Sequence, residues 1–293
     1  MKPAGDTGMR TGLRHLKRSS IKSLSLHAAL AIGSALFLIP LLWMISTSLK
    51  IEKQTQMIDS WAQVFLPNPI RWKNYPDALE YVNLISCFKN SIHVTILTII
   101  GTIVSCTLVA YSFARLRWPG RNALFMILIS TMMLPSQVTM VPVFLIYAKI
   151  GWVNTLRPLW FGSFFGTAFF IFLLRQFFMT IPKEIEEAAR IDGCGYLRTL
   201  LQILIPLIKP ALLSVIIFQF MWTWNDFLGP LIYVQSRNLM TLTLGLQAFT
   251  YAHAGQWHYL MAASFMMTLP VIIVFFCLQR YFIQGVTLTG IKG

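Results

Sequence analysis

Between Leu24 and Leu49 the chain runs for 26 residues without one Asp, Glu, Lys or Arg. A helix of that length, at about 1.5 Å per residue, is long enough to cross a bilayer. Comparable apolar blocks recur to the end of the sequence. Only 12% of the 293 residues are charged and 56% are hydrophobic, with a mean hydropathy of +0.64. A soluble domain carries about 25% charged residues. In hydrocarbon every backbone polar group needs an internal partner, which leaves helices as the spanning element. The composition therefore implies an all-α, polytopic membrane protein. The first block exceeds the roughly 7–15 apolar residues of a cleaved signal peptide and reads as an uncleaved span.

Six spans are expected, at about 24–48, 90–114, 122–145, 157–179, 207–230 and 258–280. Around them the sequence divides into a basic tail (1–23), an extracytoplasmic loop (49–89), a core (90–281) and a C-terminal tail (282–293). The third span contains Pro135 and Pro142, so Ser136–Ile150 is either its end or a separate interfacial helix. Pro40, Pro210 and Pro270 imply kinked helices, whose freed backbone groups neighbouring helices satisfy. Gly162-Ser-Phe-Phe-Gly166 is a GxxxG, a device for close backbone approach within the bundle or between subunits.

Sixteen of the 24 Lys and Arg fall on the side of the two termini and the 175–209 region, against eight on the other. That asymmetry places both termini in the cytoplasm. It also accounts for the net charge of +14 without nucleic acid. Membrane lipid is the expected surrounding partner. The aromatic residues of the two outer loops (Trp61, Trp72, Tyr75 and Tyr81; Tyr251 and Trp257) form either an interfacial belt or a docking surface. Cys87 and Cys194 fall in loops on opposite sides and Cys106 and Cys277 in spans, so neither a disulfide framework nor a metal site is expected.

The most informative polar segment is Ile185-Glu-Glu-Ala-Ala-Arg-Ile-Asp-Gly-Cys-Gly-Tyr and its continuation to Pro206. Pro182 suits a first helical turn, and Glu184, Glu186 and Glu187 suit a helix N-terminus. Ala188 and Ala189 leave the backbone open to a partner's groove. Gly193 and Gly195 allow a turn, after which Leu197, Leu200, Leu201 and Leu204 return at helical spacing. The expected shape is a helix, a glycine turn and a second helix, forming a rigid protrusion under the membrane. Arg190 and Asp192 complete its charged surface. An ordinary amphipathic interfacial helix is the plainer reading.

Glu187-Ala-Ala189, Gly193 and Ile203-Leu-Ile-Pro206 resemble the EAA loop of ABC importer permeases, with Ile205 where the family prefers Leu. The resemblance covers roughly residues 30–293. It extends to Tyr111-Ser-Phe-Ala-Arg-Leu-Arg-Trp-Pro-Gly120, Phe172-Leu-Leu-Arg-Gln-Phe-Phe178, Trp222-Thr-Trp-Asn-Asp-Phe227, Gly245-Leu-Gln-Ala-Phe249 and Gln279-Arg-Tyr-Phe-Ile-Gln-Gly285, closing on Gly290-Ile-Lys-Gly293. These segments are similar to the smaller, MalG-like subunit of maltose-type carbohydrate importers. The resemblance implies a type I importer transmembrane domain in a bacterial or archaeal plasma membrane. It implies a second permease subunit, two ATPase subunits that hold ATP and Mg2+, and an extracytoplasmic sugar-binding protein. It also assigns ATPase coupling to Glu186, Glu187, Ala188, Ala189, Asp192 and Gly193.

Gln219, Trp222, Trp224, Asn225 and Asp226 are candidates for the substrate path, since aromatic faces with amide and carboxylate groups suit a sugar. Asp226 alternatively caps a turn before Gly229-Pro230. No Gly-Lys dipeptide occurs, so a Walker A loop is absent and no cofactor is expected in this chain. His253 and His258 lack metalloprotease context, and no catalytic constellation is visible. The competing readings are a permease for an amino acid, peptide or phosphonate, an ion-driven secondary transporter, and a membrane enzyme. The secondary transporter predicts charged residues within spans and repeat symmetry, and neither is evident.

Overall fold

A computed structural model describes residues 7–56, 61–81, 83–252 and 255–287. Lys2, His253 and the closing Gly290-Ile-Lys-Gly293 lie outside these residues. The principal helices are α1 (Thr7–Ser48), α2 (Leu84–Arg115), α3 (Arg121–Ser130), α4 (Ser136–Lys149), α5 (Ala168–Thr180), α6 (Glu184–Ile191), α7 (Lys209–Trp224), α8 (Leu228–Tyr233), α9 (Leu242–Ala252) and α10 (Trp257–Thr287). No strand occurs among the described residues. Four stretches are long and apolar enough to cross a membrane: Ser25–Ser48, Leu84–Arg115, Arg157–Thr180 and Trp257–Gln279. Two bent pairs, Arg121–Met133 with Ser136–Lys149 and Tyr196–Leu207 with Lys209–Trp224, bring the total to six.

The positions of the spans follow the hydropathy, and the differences have local causes. The second span begins at Leu84, so Cys87, expected in a loop, is buried in α2. The third breaks at Leu134–Pro135 and turns by 99°, which makes α4 a separate helix. Proline favours an extended residue before it, and Leu134 obliges with ψ 119°. The fifth ends at Trp224 rather than residue 230, and α8 follows after a turn. Pro210 does not kink an interior. It sits in the first turn of α7, where its missing N–H costs nothing, and the 79° bend precedes it.

The GxxxG also differs from expectation. Gly162–Phe165 forms a 3-10 turn and Gly166 adopts φ +86°, so no continuous helix presents the two glycines on one face. Close approach occurs opposite, at Gly101 of α2, where an added Cβ would lie 2.6 Å from Phe164 and from Ser163 Oγ.

The chain divides into two compact units, one up to Tyr75 together with Gly255–Phe265, the other comprising Pro76–Ala254 and the residues from Met266. In the first, Asn74 is fully buried and donates to the carbonyls of Ser48 (2.8 Å) and Lys50 (2.7 Å). Lys50 is buried too and donates to Val64 O at 2.8 Å; burial holds its amine below the ordinary lysine range. The second unit holds the main core, in which Cys106, Ala110 and Tyr111 of α2 meet Phe170, Leu174 and Phe178 of α5. Leu200, Leu204, Ala211 and Val215 complete it.

Candidate functional site

The helix–turn–helix segment is present and is fastened to the second unit at three points. Helix α6 spans Glu184–Ile191 with Lys183 at its N-cap, so Pro182 stands just outside the helix rather than in its first turn. Glu184, Glu186 and Glu187 occupy the first turn, where carboxylates face the positive end of the helix dipole. Glu186 and Ala189, one turn apart, face inward and are buried. Glu187, Ala188, Asp192 and Gly193 face outward, beside Ile191, which is 87% exposed. Of the two alanines expected to bare the backbone, only Ala188 is therefore open to a partner.

The first fastening is an ion pair. Arg115 Nε lies 2.9 Å from Glu186 Oε1, with the two side chains only 4% and 8% exposed. The same guanidinium donates to the carbonyls of Phe178 and Ile181, at the end of α5. One side chain from the last residue of α2 thus ties together α2, α5 and α6. Sequence reasoning had Arg115 only among the charges of the cytoplasmic side and within the Tyr111–Gly120 resemblance, with no structural role of its own. Its partners are 63–71 residues away, so no local pattern reveals them.

The second fastening is the turn after α6. Gly193 adopts φ +79°, its N–H bonds to Arg190 O (3.0 Å), and the N–H of Cys194 reaches back to Ala189 O (2.9 Å). This pair of bonds defines a Schellman motif, in which the left-handed residue favours glycine. Gly195, at φ −73°, needs no such freedom and starts the next helix. Arg190 closes the turn by lying 4.6 Å over the Tyr196 ring.

The third is the returning segment. Tyr196–Thr199 is α-helical, Leu200–Leu204 widens into a π turn, and Ile205–Leu207 resumes the α-helix. Leu200 and Leu204 enter the core, whereas Leu197 and Leu201 are exposed. Four leucines at helical spacing thus divide into an anchoring pair and a free pair.

The candidate path residues are less uniform. Gln219 is buried, accepts from Thr102 Oγ1 (3.2 Å) and donates to Thr223 Oγ1 (2.8 Å). Trp224 is a core residue, 3% exposed, stacked on Phe220 with its Nε1 donating to Met267 O at 3.1 Å. Trp222 is half-exposed and rests on Phe170, ring centroids 4.9 Å apart. Asn225 is exposed and donates to Met221 O. Asp226 accepts the N–H of Gly229 at 3.1 Å, the turn-capping arrangement, while its backbone carbonyl accepts from Thr243 Oγ1 at 2.6 Å. Asp226 also lines a shallow cleft with Ser136, Gln137 and Thr139 of α4, none of which the sequence singled out.

Residues 104–288 match the family described as binding-protein-dependent transport system inner membrane component. The chain belongs to this family. The permease is 32% identical to the melibiose/raffinose/stachyose import permease protein MelC of Bacillus subtilis, over 96% of this chain and all of that one. It is 30% identical to the arabinooligosaccharides transport system permease protein AraQ of Halalkalibacterium halodurans (94% and 99% covered). It is 29% identical along its full length to the osmoprotective compounds uptake permease protein GgtD of Synechocystis. Its fold matches a crystallised bacterial ABC transporter involved in alginate import, at TM-score 0.79 and 24% identity over 96% of this chain and all of that one. The permease is thus a membrane-embedded transport subunit, with the type I importer fold expected from its loop.

Proposed function

We propose that the permease forms half of the translocation path of an ATP-driven, binding-protein-dependent sugar importer, with α6 as the element that receives the push of a separate ATPase. One observation carries this reading. The outer face of α6 exposes Glu187, Ala188 and the apolar Ile191, while its inner face is clamped by Arg115 and Glu186. An exposed large apolar side chain on an otherwise fixed helix suits a partner surface, and the clamp lets displacement reach α2 and α5 without being absorbed. ATP and Mg2+ belong to the ATPase subunits, and α6 and both termini face the cytoplasm. A second permease subunit and an extracytoplasmic sugar-binding protein complete the assembly.

The sugar reading rests on relatives named for melibiose, raffinose, stachyose and arabinooligosaccharides. Cargo contact is assigned to Trp222 and Asn225, the exposed members of the path group; Gln219, Trp224 and Asp226 support them from within. The relative named for osmoprotective compounds makes a compatible solute the second reading. Cysteines placed at Glu187 and Ile191 should crosslink to the co-expressed ATPase, and the purified complex should hydrolyse ATP faster with its binding protein and cargo. Absence of both crosslinks removes the coupling assignment. Calorimetry of the binding protein against oligosaccharides and compatible solutes decides the cargo.

A further inference from the structure

Beside α6 lies a cavity of about 600 Å3, bordered by the clamp and Glu187, whose other cations the transport reading leaves unassigned. Six cations line it (Arg115, Arg117, Arg121, Arg175, Lys183 and Arg190) against two carboxylates, Glu186 and Glu187. Arg115 is engaged by Glu186 and Arg190 by the Tyr196 ring. The remaining four have no carboxylate partner among the described residues. Arg175 lies 4.1 Å over the Phe125 ring, and its Nε is shut from solvent without a hydrogen-bond partner. A guanidinium left in that state favours an anion beside it.

The position of these charges indicates where the anion comes from. Arg121 is the first residue of one candidate span, and Arg175 lies five residues before the end of another. In a bilayer both would lie near the ends of spanning helices, at the depth of the headgroup layer. Leu124 on α3 and Met179 on α5 are exposed alongside, offering an apolar surface continuous with hydrocarbon. Basic pockets between the ends of membrane helices suit lipid phosphates. A soluble protein would have to insert an acidic side chain beneath α6, whereas a phosphodiester reaches this depth from the bilayer.

We propose that this cavity binds the phosphate headgroup of an anionic phospholipid, with Arg117, Arg121 and Arg175 as its ligands and acyl chains lying along α3 and α5. Because Arg115 and Glu186 form one wall, bound lipid would brace the clamp that holds α6. The site does not depend on which cargo is carried.

The test uses the complete transporter in detergent, titrated with phosphatidylglycerol or phosphatidylcholine and read by native mass spectrometry. At about 1 kcal/mol per cation, R121Q/R175Q should weaken phosphatidylglycerol binding roughly 30-fold. The exposed R117Q should weaken it about fivefold and guards against misfolding of the double variant. R237Q, next to Asn238, which bonds Asn90 near the opposite end of α2 from Arg115, should change nothing, and phosphatidylcholine should be indifferent throughout. Unchanged phosphatidylglycerol binding in both R117Q and R121Q/R175Q overturns the proposal. So does displacement of the lipid by equimolar inorganic phosphate, which marks a free-anion site. Loss of ATPase subunits from the variants at constant lipid binding assigns the cavity to a protein partner instead.

Discussion

The two ends of α7 meet different kinds of structure. Before Lys209, the segment from Glu184 to Leu207 is held by a buried ion pair, a left-handed glycine and two core leucines, and its outer face is left bare. From Trp224 onward, the chain is held by ring packing, by a bond from Asn225 to Met221 O, and by bonds that Asp226 accepts from Gly229 and Thr243. The first arrangement separates the residues that fix an element from those that would meet a partner. In the second, the two residues proposed to meet the cargo, Trp222 and Asn225, are themselves held by packing on Phe170 and a bond to Met221 O. Substitutions at the first end should therefore divide into those that unfold and those that uncouple, whereas substitutions at the second should show mixed and smaller effects.

The hardest blow to that contrast comes at Arg115. Arg115→Ala leaves Glu186 buried and unpaired and takes away the side-chain donor to the carbonyls of Phe178 and Ile181. Breaking a buried pair costs about 3–5 kcal/mol, so thermal unfolding of the purified complex should shift down and uptake should cease. Arg115→Met combined with Glu186→Leu should recover most of the stability, because an apolar pair carries no stranded charge. Failure to recover would show that the carbonyl contacts, rather than the ion pair, hold α6.

Gly193→Ala should cost about 1–2 kcal/mol, the penalty of a Cβ in left-handed backbone. Gly193→Asp should abolish uptake with the protein still in the membrane, as radiolabelled-sugar transport and immunoblotting would reveal. Glu187→Lys sharpens the comparison further, since the side chain is exposed. Stability should stay within about 0.5 kcal/mol while uptake is lost; normal transport would remove the outer face of α6 from the mechanism. At the other end, Gln219→Leu removes two hydrogen bonds and leaves Thr102 without its acceptor, costing about 1–2 kcal/mol. Asp226→Asn keeps an oxygen for Gly229 N–H and should be the mildest, with stability unchanged. An unchanged transport rate and cargo affinity would then limit Asp226 to its capping role.

Much of the fold was legible because hydrocarbon imposes its length on apolar runs: the first, fourth and sixth expected spans match the apolar stretches within one residue and the third within four, whereas the second starts six residues earlier and the fifth ends six residues earlier than expected. The breaks were harder. Pro135 marked its bend, but the 3-10 turn at Gly162–Phe165 and the π turn at Leu200–Leu204 depend on what packs against them, Gly101 in the first case. Between Glu184 and Leu207 the helix and the glycine turn were readable from spacing. Which face of α6 turns inward was not, because that is decided by Arg115, a long-range partner indistinguishable in sequence from its neighbour Arg117. In the path group, polar residues next to tryptophans suggested a ligand, although protein partners engage them: distant Thr102 and nearby Thr223 for Gln219, and Gly229 for Asp226.

The 79° elbow at Ile208 has a mechanical corollary. Only about a fifth of a stroke directed along Tyr196–Leu207 projects onto the axis of Lys209–Trp224. Under the proposed coupling the remainder would arrive crosswise, swinging the tryptophan-bearing tip sideways like the far end of a crank rather than driving it outward like a piston.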